Sequence, residues 1–159
     1  MNKTEINKQV VIKTIIISSI LLAILLTLLH VFVSKVIDSN KILTGLKLLV
    51  FWVVITATLR SEIKVRRNIG GLWLLLTGLL VAGFGVILHL LVIQIISAIK
   101  TDVGLDLAID LKTVGFYAGI GFVASVISLI NIKVKSEFWG NVLEVIFVAA
   151  LAGLFFLMV

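Results

Sequence analysis

A 159-residue chain in which 61% of residues are hydrophobic and 14% charged is far from the balance of a water-soluble domain. It contains no Cys, which excludes disulfides, thiol catalysis and thiolate metal sites, and no Pro, which disfavours the broken helices common in secondary transporters. The formal charge of +6 does not argue for a nucleic-acid partner, because in so apolar a chain Lys and Arg set orientation and meet anionic lipid headgroups.

A spanning helix needs roughly 20 apolar residues. The sequence predicts five, at residues 10–33, 42–59, 69–99, 113–132 and 138–159, so residues 1–159 form a single transmembrane domain. No stretch outside these spans exceeds roughly 15 residues, too short for a folded aqueous domain. The expected fold is an all-α integral membrane protein, a bundle of about five transmembrane helices.

The first span follows Lys3, Lys8 and Lys13. No small-residue cleavage pattern closes its apolar run, so it is expected to be a retained helix rather than a signal peptide. His30 shares a face of this helix with Ser19, Ala23 and Thr27. In the second span Lys47 interrupts the apolar run, and it is expected to snorkel its ammonium outward past Gly45 and Lys41; a buried, functional Lys is the other reading. The basic cluster Arg60, Lys64, Arg66 and Arg67 then separates the second and third spans.

Along the third span Gly78, Ala82, Gly85 and His89 fall at offsets of four, three and four, on one helix face. Asp102, Asp106 and Asp110 follow at four-residue spacing; on a helix they form an acidic, solvated stripe without the oxygen-rich loop of a calcium motif. The fourth span carries Gly115-x3-Gly119 and Gly121-x3-Ser125, the fifth Ala149-x3-Gly153. Lipid supplies no hydrophobic drive between helices, so such small residues are expected to pack helices closely. Glu144, in the fifth span, is a candidate by default, because an intramembrane carboxyl is costly; an interfacial pairing with Arg66, Arg67 or Lys133 is the plainer reading.

With the N-terminus inside, nine Lys and Arg residues, including every Arg, lie on the inner side and five on the outer. Trp73 and Trp139 then fall at inner helix ends, as amphipathic indoles favour. The expected location is the inner membrane, multi-pass, with the N-terminus cytoplasmic and the C-terminus external. Ile, Lys and Asn usage is that of an AT-rich bacterial source. Ala23-x6-His30 and Ala82-x6-His89 hint at a repeat, two parallel helix hairpins plus a fifth helix.

His30, His89 and Glu144 are the candidate polar path. The two imidazoles, if they meet, could share a proton or a metal, and ligation of a haem by one His from each of two helices is chemically open. Two ligands alone make a poor metal site, however, and nothing in the spacing demands a cofactor. Gly-x-Ser-x-Gly, His-Glu-x-x-His and phosphate-loop motifs are all missing, which argues against an enzyme. Two functions lead, ahead of an intramembrane enzyme or haem protein using the two histidines. One is a small non-catalytic subunit or accessory protein of a larger inner-membrane complex, with lipids and other membrane subunits, or further copies of itself, as partners. The other is a compact oligomeric transporter or channel using intramembrane His and Glu.

Overall fold

The computed structural model describes residues 3–36, 39–65, 71–101 and 109–133, with 138, 139, 142, 145, 146 and 149. The elements are α1 (Lys3–Phe32), a 3-10 turn (Val33–Lys35), α2 (Asn40–Val65), α3 (Gly71–Thr101) and α4 (Leu111–Lys133). All four α-helices are long and apolar enough to cross a membrane, over Gln9–Phe32, Lys41–Ile63, Gly71–Thr101 and Leu111–Ile130. The expected fifth span lies outside the described residues, apart from a few helical positions between 138 and 149.

Helix α2 continues six residues past its expected end at Leu59. Between Leu59 and Val65 there is neither Gly nor Pro to stop it, and Arg, Glu and Lys are good helix formers. The charged residues placed in a loop by the apolar count therefore begin on the helix.

Pairings between side chains give the topology. Ser19 lies against Val81, and Thr27 against His89, both with an offset of 62 residues, so α1 and α3 run parallel in constant register. Ser18 meets Thr58 and His30 meets Lys47, so α1 and α2 are antiparallel. Gly78 lies beside Ser125, and Gly121 beside Ala82, so α3 and α4 are also antiparallel. Contact is most extensive between α3 and its two neighbours α1 and α4, while α2 packs chiefly on α1. We call the end where α1 and α3 finish the upper end, and the other the lower end.

Polarity is distributed inside out. The surface of α1 presents Ile12, Ile16, Ile17, Ile20, Ile24 and Leu28, while Ser18, Ser19, Thr56, Thr58, Thr77, Ser125 and Ser128 are buried. A helix apolar on every side has a lipid or core environment, not a half-wet one. Most buried hydroxyls are satisfied by a carbonyl one turn back on the same helix, such as Thr77 to Trp73 at 2.8 Å and Ser128 to Ala124 at 3.0 Å. Around them Leu22, Phe51, Ile55, Leu59, Leu74 and Val81 form the fully buried core.

The closest helix approach involves Gly78 and Gly121. A Cβ at Gly78 would collide with the Ser125 side chain and lie 2.6 Å from the Gly121 carbonyl oxygen; one at Gly121 would collide with Ala82 and the Gly78 carbonyl. Backbone meets backbone there, as small residues permit. Gly85, expected on the same face, turns instead to α1, where a Cβ would be 2.6 Å from Leu22 Cδ2. The stripe on α3 is thus divided between two neighbours as the helix passes from α4 at the lower end towards α1 higher up.

Among the described residues, no atom lies within 4 Å of where a Cβ would sit on Gly115 or Gly119, which were expected to pack. The face of α4 used for packing is instead the one carrying Gly121, Ala124, Ser125 and Ser128, all buried. Ala149 is exposed, and Gly153 lies outside the described residues.

Candidate functional site

Parallel packing of α1 and α3 brings the two histidines together. Their ring centroids are 6.0 Å apart and their planes cross at 68°, an edge-to-face arrangement. The register of 62 residues places His89 level with Thr27, so His30 stands three residues, roughly 4.5 Å, higher. Thr27 Oγ1 is 3.0 Å from His89 Nδ1. His89 is 8% exposed and His30 about half-buried.

Lys47 completes the cluster. Its Nζ lies 3.3 Å from His30 Nδ1, so the ammonium does not simply reach outward past Gly45 but turns to the imidazole of α1. An ammonium has only hydrogens to offer, so Nδ1 of His30 accepts, and a neutral His30 then carries its proton on Nε2. Three helices thus supply Lys47, His30, His89 and Thr27 to one place at the upper end. Glu144, the third member of the expected path, lies outside the described residues.

The lower half of the bundle holds a second set of polar side chains. The hydroxyls of Ser18 and Thr58 are 3.0 Å apart. One turn below Thr58, Glu62 is only 3% exposed, and its Oε2 is buried without a hydrogen-bond partner. Sequence reasoning missed Glu62 because it sits amid Arg60, Lys64, Arg66 and Arg67 and reads as one more loop charge. Its signal was the four-residue step from Thr58, which puts both on one helix face.

From the buried Ser19 and Thr56 up to Thr27 the interior is apolar. Leu22, Leu26, Phe51, Ile55 and Val86 are each at most 2% exposed and occupy the space between the Thr27 and Ser18 levels. About two and a half helical turns, or roughly 13.5 Å, separate those levels along α1.

Asp110 caps α4. Its Oδ1 accepts from the Lys112 backbone N–H at 3.0 Å and its Oδ2 from the Thr113 hydroxyl, and its own carbonyl accepts from Val114 N at 3.1 Å. Of the three aspartates read as a stripe, Asp110 is therefore a helix cap; Asp102 and Asp106 lie outside the described residues. The Thr113 hydroxyl and the Lys112 amide hold the Asp110 carboxyl below its ordinary value of 3.8. A depressed folded value means the carboxylate's contribution is complete above that ordinary value and is lost as pH falls through the lower folded one. Asp110→Ala should remove this acid-range component and fray the first turn of α4, seen as faster amide exchange there; unchanged exchange would mean the cap is dispensable.

No protein-family model, curated protein or solved structure matches the chain. Among the described residues, no group of three or more His, Cys, Asp and Glu is placed to hold a metal ion.

Proposed function

We propose that this chain is an inner-membrane protein, N-terminus cytoplasmic, that serves as a small non-catalytic subunit or accessory component of a larger membrane assembly. The observation that carries this reading is the apolar layer of Leu22, Leu26, Phe51 and Ile55 between the upper cluster and the Ser18–Thr58–Glu62 group. A conducting path needs polar lining along its length, and that layer interrupts it. Its outward-facing Ile, Leu and Phe side chains suit lipid or the helices of other subunits.

The test is purification of the tagged protein from its native membrane in a mild detergent, followed by native mass determination. A stoichiometric membrane-protein partner is expected; a homo-oligomer that carries an ion or solute flux in liposomes would overturn the reading. Reporter fusions check the orientation. One placed after Arg67 should be cytoplasmic and one after Asp106 external, and reversal of either would refute the assignment.

The meeting of His30 and His89 favours a second reading, an oligomeric transporter in which these side chains form one half of a path. In that case His30→Ala and His89→Ala should each abolish transport while leaving insertion intact.

A further inference from the structure

Several buried hydroxyls of the lower half share one level of the bundle. The 62-residue register of α1 and α3 sets Thr77 level with Ile15, and Ser125 lies beside Gly78, one residue further along α3. Ser128 follows Ser125 by three residues on α4 and falls just below it. The antiparallel pairing of Ser18 with Thr58 sets Glu62 level with Thr14. Ser18, Thr58, Glu62, Thr77, Ser125 and Ser128, all buried, therefore lie within roughly 8 Å along the bundle axis, in a layer to which each of α1 to α4 contributes.

The hydrogens of these hydroxyls are already committed. Thr77, Ser125 and Ser128 each donate to the carbonyl one turn back, of Trp73, Gly121 and Ala124. The Thr58 hydroxyl is 2.7 Å from the Val54 carbonyl and 3.0 Å from Ser18 Oγ. A carbonyl can only accept and Thr58 has one hydrogen, so Thr58 donates to Val54 and Ser18 donates to Thr58. Only lone pairs are left over. Glu62 adds to them: it is 3% exposed, and its Oε2 is buried without a hydrogen-bond partner. Helical side chains lean towards the helix N-terminus, so the Glu62 carboxyl reaches back over the turn of Thr58, towards the Ser18–Thr58 pair.

A water molecule would give such a layer hydrogens but leave the carboxylate charge uncompensated in a low-dielectric interior. A small cation answers both the charge and the lone pairs. Oxygen ligands suit a hard cation, and a single carboxylate balances a single positive charge. We propose that Glu62, Thr58 and Ser18 form a binding site for an alkali-metal cation, sodium or potassium. Glu62 is the last residue but one of the apolar stretch Lys41–Ile63, so the ion reaches it from the lower end without crossing the hydrocarbon. This site is independent of whether the chain is an accessory subunit.

The full-length protein in neutral detergent is unfolded thermally in sodium, potassium or choline chloride at equal ionic strength, and binding is measured by equilibrium dialysis of radioactive sodium. A saturable rise in unfolding temperature with sodium or potassium, absent with choline, is expected, and the more effective of the two identifies the ion. Glu62→Gln keeps the shape of the side chain; it should unfold in choline close to the wild type and lose the cation response. Thr58→Val removes one oxygen and should weaken binding by about tenfold, the worth of one polar contact. Together with Ser18→Ala it carries the test if Glu62→Gln fails to fold. Were Glu62 instead paired with a basic side chain such as Arg66 or Arg67, unfolding would be the same in all three salts. That result, or a cation response that Glu62→Gln leaves unchanged, would overturn the proposal.

Discussion

Gly121→Ala should separate α3 from α4 and lower the stability of the bundle, although alanine is the better helix former. The propensity gain is about 1 kcal/mol. Against it, the new methyl meets Ala82 Cβ and the Gly78 carbonyl oxygen, and backbone cannot rotate aside as the end of a long side chain can. Overpacking of this kind costs about 1–3 kcal/mol and more where relief requires a helix to move. Gly78→Ala is expected to behave alike, facing Ser125 and the Gly121 carbonyl. Gly119→Ala supplies the control: with no atom within 4 Å of the added carbon, it should be neutral or stabilising by up to about 1 kcal/mol. Reversible unfolding in mixed detergent micelles ranks the three. If Gly121→Ala were as stable as Gly119→Ala, the close crossing of α3 and α4 would be wrong.

Glu62→Leu should stabilise the protein. The Glu62 Oε2 is buried without a partner at the lower end of α2, and an unsatisfied buried polar atom costs about 1–3 kcal/mol. Leucine has nearly the same volume and makes no such demand, whereas Glu62→Gln keeps a polar terminus and should gain little. The informative comparison sets stability beside assembly with partners. A stabilised variant that no longer assembles would mean the carboxyl is kept for a contact made outside this chain. A destabilised variant would mean that Glu62 supports the fold, contrary to its surroundings.

The helices themselves were legible because uninterrupted apolar length is a strong signal, and four of the predicted spans coincide with α1 to α4. Their ends were less so: the apolar count stops at Leu59, but helical hydrogen bonding does not depend on apolar side chains and α2 runs on to Val65. Faces were legible and their partners were not. The spacing of Gly78, Ala82, Gly85 and His89 gave one stripe, yet periodicity on a single helix cannot say that its lower half meets α4 and its upper half α1. Gly115-x3-Gly119 and Gly121-x3-Ser125 were indistinguishable as patterns, and among the described residues the second lies against another helix and the first does not. The histidines illustrate the same limit: their sequence repeat has a period of 59 residues, but α1 and α3 pack with an offset of 62. Lys47 was read against its own helix, with Gly45 and Lys41 as neighbours, because its partner His30 lies 17 residues earlier on another element.

The inside-out distribution of polarity also separates two properties that are entangled in most small proteins. The side chains that hold the helices in register, Leu22, Phe51, Ile55, Leu59 and Val81 among them, are different from those that meet the surroundings, such as Ile16, Ile20, Leu49, Val53 and Phe84. Exchanging the second set for Glu, Lys and Gln alters no interior contact and leaves helix propensity intact. The same arrangement of α1 to α4 could therefore be recast as a water-soluble analogue, with the Lys47–His30–His89 junction carried over and open to study in plain buffer.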